Sequence, residues 1–144
     1  MQEQNYKNHA RFDPAYHAVL FGMVMLTFIG SCVNLWKSAG DHQRLYSASL
    51  IVALTASTLL LMFICRIYAL KAQDRAIRAE ENLRHFVLTG KLLDARLSIK
   101  QIVALRFASD AEFPALAATA ADTNMAPDAI KQAIRNWRAD LYRV

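Results

Sequence analysis

A chain of 144 residues, 55% hydrophobic and carrying a formal net charge of +5, fits one ordinary soluble domain or a small membrane protein. It holds no glycine-rich phosphate loop, no His/Cys cluster at metal-ligand spacing and no G-x-S-x-G elbow, so the common enzyme signatures are missing and no catalytic, cofactor or metal residue is assigned. The averages also hide two uncharged runs, Pro14 to Trp36 (23 residues) and Leu45 to Cys65 (21 residues).

Either run exceeds the roughly 20 residues a helix needs to cross about 30 Å of hydrocarbon. A soluble core helix would be shorter and would show a polar stripe. The first apolar stretch is too long for the core of a secretory signal peptide, and it follows the polar tail "MQEQNYKNHARFDPA". The N-terminus is therefore expected to be retained. The sequence predicts a tail over 1–15, a transmembrane hairpin over 16–70 (spans at about 16–36 and 46–68, outer loop 37–45) and a cytoplasmic helical region over 71–144.

Orientation follows Lys and Arg near the spans. Lys7 and Arg11 in the tail tie with Lys37 and Arg44 in the loop "KSAGDHQRLY". Arg66, Lys71, Arg75, Arg78 and Arg84 beyond the second span break the tie. Both termini are expected in the cytoplasm, as for a multi-pass protein of a bacterial inner membrane. Cys32 and Cys65 fall at opposite ends of the hairpin, roughly 20 Å apart in depth at 1.5 Å per residue. That is beyond disulfide reach, and each reads as a small packing residue.

In the first span Ala18, Gly22, Gly30 and Asn34 lie on one four-residue ladder; in the second, Ser49, Ala53 and Ser57 do. Small residues at this interval let backbones approach closely in lipid. An antiparallel hairpin sets Gly30 beside Ala53 and Asn34 near Ser49, which predicts a matched packing seam. The alternatives are a ladder that packs on another copy, or small residues with no special role. Tyr16, Trp36, Tyr46 and Tyr68 bracket the spans as interface anchors, and Arg66 can snorkel to anionic cytoplasmic headgroups. His17 is the one histidine within a span and no carboxylate is buried there, which argues against a haem or a proton path.

Past Leu70 there is no glycine or proline until Gly90, so the second span is expected to continue as one helix into the cytoplasm, with Gly90 just past its end. Ala69, Ala72, Ala76, Ala79, Leu83 and Phe86 follow 3-4-3-4-3 spacing, an a/d seam for this protein's own helices or for a partner. Asp74 with Arg78 and Glu80 with Arg84 are candidate i,i+4 pairs.

Ser98 with Gln101 and Ser109 with Glu112 form two capping boxes, opening "IKQIVALRFA" and "EFPALAATAAD". Pro114 fits the first turn of the second of these helices. Asn124 can take the left-handed backbone that ends it. Pro127 starts a last helix, "PDAIKQAIRNWRAD", with Ile130, Ala133, Ile134, Trp137 and Leu141 on one apolar face. These helices make a cap of about fifty residues, marginal alone.

Lys131, Arg135 and Arg138 on that last helix raise a helix-turn-helix reading. Against it, Ala126, Pro127 and Asp128 would enter the groove first and offer base edges no suitable donor. From Arg66 onward 13 basic residues face 9 acidic ones, an excess that anionic lipid explains equally well. Adjacent Glu80 and Glu81 point about 100° apart on a helix and are not a catalytic pair.

The stretches "EQNYKNHARFDPAYH", "LRHFVLTGKLLDARLSIKQIVALRFASDAEFPALA" and "AIKQAIRNWRADLYRV" resemble a bacterial family of two-span membrane proteins, catalogued as a domain of unknown function, over essentially the whole chain. The resemblance implies a cytoplasmic C-terminal helical region and carries no activity. The expectation is an all-α membrane protein, a two-helix hairpin with an extended second helix and a small helical cap. It would act as a non-enzymatic structural, scaffolding or accessory subunit, assembled with itself or within a larger membrane complex. A small homo-oligomeric channel or transport component is the alternative, and a membrane-tethered DNA binder the remote third.

Overall fold

The computed structural model describes residues 4–9 and 12–141 and is all-helical, with no strand among them. Arg11, one of the tail charges weighed for orientation, lies outside the described residues, as do 1–3, 10 and 142–144. The chain divides into two compact units. One runs from Phe12 to Ala69; the other joins the N-terminal tail to Leu70 and the chain beyond it.

In the first unit the Asp13 carboxylate accepts the N–H groups of Ala15 and Tyr16 and so opens the helical run. A π-helical segment, Ala15–Leu20, leads into α1, Phe21–Lys37. After a short turn the Asp41 carboxylate does the same for Gln43 and Arg44 at the start of α2, His42–Thr89, which is 48 residues long. By length and composition both runs are long and apolar enough to cross a membrane, their most apolar 18-residue stretches having mean hydropathies of 2.0 and 2.3.

The two helices meet along a heptad-spaced stripe. On α1 it is Val24, Phe28, Ser31 and Leu35, continued by Ser38 just past its end; on α2 it is Ala48, Val52, Thr55, Leu59 and Met62, all buried or half-buried. The expected four-residue ladders do not coincide with this stripe. Ala18, Gly30, Asn34, Ser49, Ala53 and Ser57 are exposed and only Gly22 is half-buried. A Cβ on either Gly22 or Gly30 would touch nothing within 4 Å. The reason is geometric. Four residues turn a helix through about 400°, so a four-residue ladder drifts about 40° per rung and walks off any one face. A seven-residue repeat drifts only about 20° and keeps contact along the hairpin. Side chains make this contact, with little close approach of the two backbones.

In the second unit α2 ends at Gly90, whose φ of +74° suits a residue without a Cβ and whose N–H reaches the Phe86 carbonyl at 2.7 Å. The Asn82 side chain then receives the Leu93 N–H. α3 (Ile99–Leu105) is capped reciprocally by Ser98 and Gln101. Gln101 is itself buried, and its amide donates to the Met125 carbonyl at 2.8 Å, tying the start of α3 to the turn after α4. α4 (Phe113–Asp122) has Pro114 in its first turn, and Asn124 (φ +47°) turns the chain toward α5, Pro127–Ala133. Phe107, Phe113, Leu105 and Ile130 are the largest side chains sealed in the core between these helices.

The last helix is half its expected length. Ile134 is already extended, and Ala108 and Trp137 form an isolated antiparallel bridge, with Ser109 N–H to Asn136 O and Arg138 N–H to Phe107 O. The Glu112 carboxylate accepts the N–H groups of Arg135 and Asn136 at 3.0 and 2.7 Å. These bonds replace the helical ones, and Trp137 lands on Phe107 with ring centroids 5.0 Å apart. Glu112 also takes a bond from the Ser109 hydroxyl, but no side chain caps α4, so the second capping box forms only in part.

The tail closes the same unit. The Gln4 side chain accepts the Asp140 N–H, Tyr6 Oη accepts from the Gln132 amide, and the His9 ring lies 5.9 Å from both Phe107 and Trp137.

Candidate functional site

The part of α2 beyond Leu70 presents two unlike faces. Ile77, Glu81, Arg84 and His85 turn toward the cap. Ala72, Ala76, Ala79, Leu83 and Phe86, on the other side, are exposed. Ala69, the first residue of that seam, is half-buried and belongs to the hairpin unit. The cap therefore docks beside the a/d seam and leaves it uncovered.

The docking face centres on Arg84. Its guanidinium donates to Glu81 at 2.9 Å, to Asp110 at 2.7 Å and to the Ala108 carbonyl at 2.7 Å, and it lies 4.4 Å from the centre of the Phe113 ring. The expected Glu80–Arg84 pair is thus replaced by bonds that turn Arg84 inward. Burial pushes the Glu81 carboxyl up, while Arg84 and then Arg138, 3.5 Å away, pull it down. Glu80, Glu81, Arg84, Asp110 and Arg138 line an open cleft of about 330 Å³. Arg84 and Arg138 are taken up by Glu81 and Asp110, an arrangement that holds α2 to the loop before α4, and Glu80 is left exposed at the rim. A second internal pair, Arg106 with Asp140 at 2.8 Å, fastens the C-terminal segment beside Phe107.

Of the expected interface anchors, two meet. The Tyr16 hydroxyl donates to the Met62 carbonyl at 2.8 Å, and the Arg66 guanidinium lies 5.5 Å from the Tyr16 ring. Trp36, Tyr46 and Tyr68 project outward. The three basic residues of the helix-turn-helix reading do not share a helix: Lys131 is in α5 and pairs with Asp128, whereas Arg135 and Arg138 lie beyond its end. That reading loses its recognition helix.

Sequence reasoning missed the Arg84 hub, which needs the fold to bring Asp110 and Ala108 to α2. It also missed the hairpin stripe, although the 4-3-4-3 spacing of Val24, Phe28, Ser31, Leu35 and Ser38 was there to be read.

The geometry defines an all-helical protein with two long apolar helices and a compact helical unit closed by the N-terminal tail. The chain belongs to the family described as "Family of unknown function (DUF6526)", whose model matches residues 1–144. No match was found among curated proteins or among solved structures.

Proposed function

We propose that this is a two-span integral protein of the bacterial inner membrane, with both termini cytoplasmic, serving as a non-enzymatic scaffolding or accessory subunit that assembles through α2. The observation that carries the reading is how little of the two apolar helices the protein itself covers. Only 6% and 17% of their most apolar stretches is buried. The core helix of a soluble protein is largely sealed, whereas a lipid-facing one leaves its apolar surface for hydrocarbon to cover. Two further features support it. The tail packs with the C-terminal region in one unit, which fits an even number of crossings between them. The basic run Arg66, Lys71, Arg75, Arg78 follows the second apolar stretch, where anionic headgroups would meet it.

The test is native mass spectrometry of the full chain released gently from membranes. The reading expects the protein in the carbonate-resistant membrane fraction and a mass above that of one copy, from further copies or from a second protein. Recovery in the soluble fraction overturns the membrane assignment, and a bare single copy overturns the assembly.

A further inference from the structure

The uncovered face of α2 carries large apolar side chains as well as alanines: Leu83 is 64% exposed, Phe86 51% and Val87 75%. At 100° per residue these, with Ala72, Ala76 and Ala79, centre on the side of α2 roughly opposite Ile77, Glu81 and Arg84. The cap therefore cannot be what covers them. Nor is lipid suited to the role. If Arg66 marks the headgroup level, Leu83 lies about 25 Å further along the helix at 1.5 Å per residue, past the polar zone of a bilayer.

We propose that this face pairs with the same face of a second copy, as a short parallel coiled coil in register. The proposal rests on the membrane-assembly reading, since two copies inserted the same way present their α2 helices parallel. Ala76 and Leu83 take a positions, and Ala72, Ala79 and Phe86 take d positions. The flanking charges then choose both partner and direction. Arg75 falls at g and Glu80 at e, both exposed. In a parallel pair each g residue faces the e residue five places on in the other helix, so Arg75 meets Glu80 of the second copy, once on each side. In an antiparallel pair g faces g and e faces e, which sets like charges together. Alanine at the inner layers keeps the helices close but buries little area. Val87, at e beside Phe86, enlarges the apolar contact where the large residues are. The contact is weak by itself, and confinement of both copies to one membrane raises their effective concentration.

The experiment uses the full chain in lipid nanodiscs, with Cys32 and Cys65 replaced by alanine. Ala76→Cys and Ala79→Cys should each give a disulfide-linked dimer under mild oxidation, whereas Arg78→Cys, off the seam, stays at background. Glu80→Arg should reduce the Ala76→Cys crosslink, and Arg75→Glu added to it should restore the yield. A multi-copy native mass with no crosslink at 76 or 79 above that at 78 overturns this seam and leaves assembly standing. A single-copy mass with no associated protein overturns both. Capture of a different protein by Ala76→Cys overturns the second copy as the occupant.

Discussion

The side-chain oxygens of Ser31 and Thr55 lie 3.1 Å apart between α1 and α2, both buried. Ser31 also reaches the Phe28 carbonyl at 2.7 Å, and Thr55 the Ile51 carbonyl at 3.0 Å. The Val52 carbonyl lies 3.1 Å from the Thr55 hydroxyl as well, so two hydroxyl protons are shared among three carbonyls and the contact between the helices. The bond between the helices competes with bonds inside them, so its net contribution is small, about 1 kcal/mol or less.

The hairpin contact is therefore chiefly steric, which sets the sizes of mutational effects. Thr55→Leu overfills the stripe and should cost about 1–3 kcal/mol. Gly30→Leu and Ala53→Leu point away from it and should stay within about 0.5 kcal/mol. Thermal unfolding of the three variants in one detergent ranks them. Equal losses at all three positions would return the contact to the four-residue ladders.

Arg84→Met removes the partner of a buried carboxylate and should destabilise the cap unit by about 3 kcal/mol. The deficit should depend on pH. Burial already raises the Glu81 carboxyl above its ordinary 4.5, and loss of Arg84 removes the strongest opposing pull. A carboxyl raised in the fold binds its proton more tightly there than in the unfolded chain, so its penalty is present at neutral pH and disappears as pH falls through the raised value toward 4.5. The gap between Arg84→Met and the parent should narrow on mild acidification in chemical unfolding. The double variant with Glu81→Leu should recover part of the loss at pH 7.

Glu112 behaves in the opposite sense. The N–H groups of Arg135 and Asn136 hold its carboxyl below 4.5, so its stabilisation is full above that value and is lost as pH falls through the lowered one. Glu112→Gln retains an acceptor oxygen but does not titrate. It should weaken protection of the 135–136 amides at neutral pH, by about 1 kcal/mol or less given its exposure to solvent. It should also flatten the acid-side loss of that protection. Hydrogen exchange at pH 7 and at pH 4 measures both.

The turn between the apolar helices offers the topology test. In the cysteine-free chain, Ala39→Cys in intact spheroplasts should react with an impermeant maleimide added outside. Gln4→Cys and Thr123→Cys should react only after lysis. Labelling of Gln4→Cys and Thr123→Cys with protection of Ala39→Cys would invert the orientation.

Features set by a few neighbouring residues were legible in the sequence: the two uncharged runs, the Gly90 stop, the Ser98–Gln101 cap, Pro114 early in α4 and the Asn124 turn. Features decided by residues far apart in the chain were not. The apolar spacing of Ile130, Ile134, Trp137 and Leu141 argues for one long helix, yet Glu112 and the Phe107–Ser109 backbone capture residues 135–138 and open it. Arg84 offered an ordinary i,i+4 partner in Glu80. Its inward turn needed Asp110 and Phe113 in place. For the candidate site, the a/d seam was readable from spacing alone, but which face of α2 the cap would cover was not.

The bond between Tyr6 and Gln132 joins positions 126 residues apart, which ties the folding of this unit to the order of synthesis. When the ribosome has delivered the tail, the surface that receives it does not yet exist. Both apolar helices emerge before Phe107, Gln132, Trp137 and Asp140 do. Closing so long a loop carries an entropic cost that grows only slowly with length, but non-local contacts of this kind form late. Tail docking therefore follows synthesis of these partners, and a nascent chain stalled before Gln132 would lack the Tyr6 and Gln4 bonds that hold its first residues.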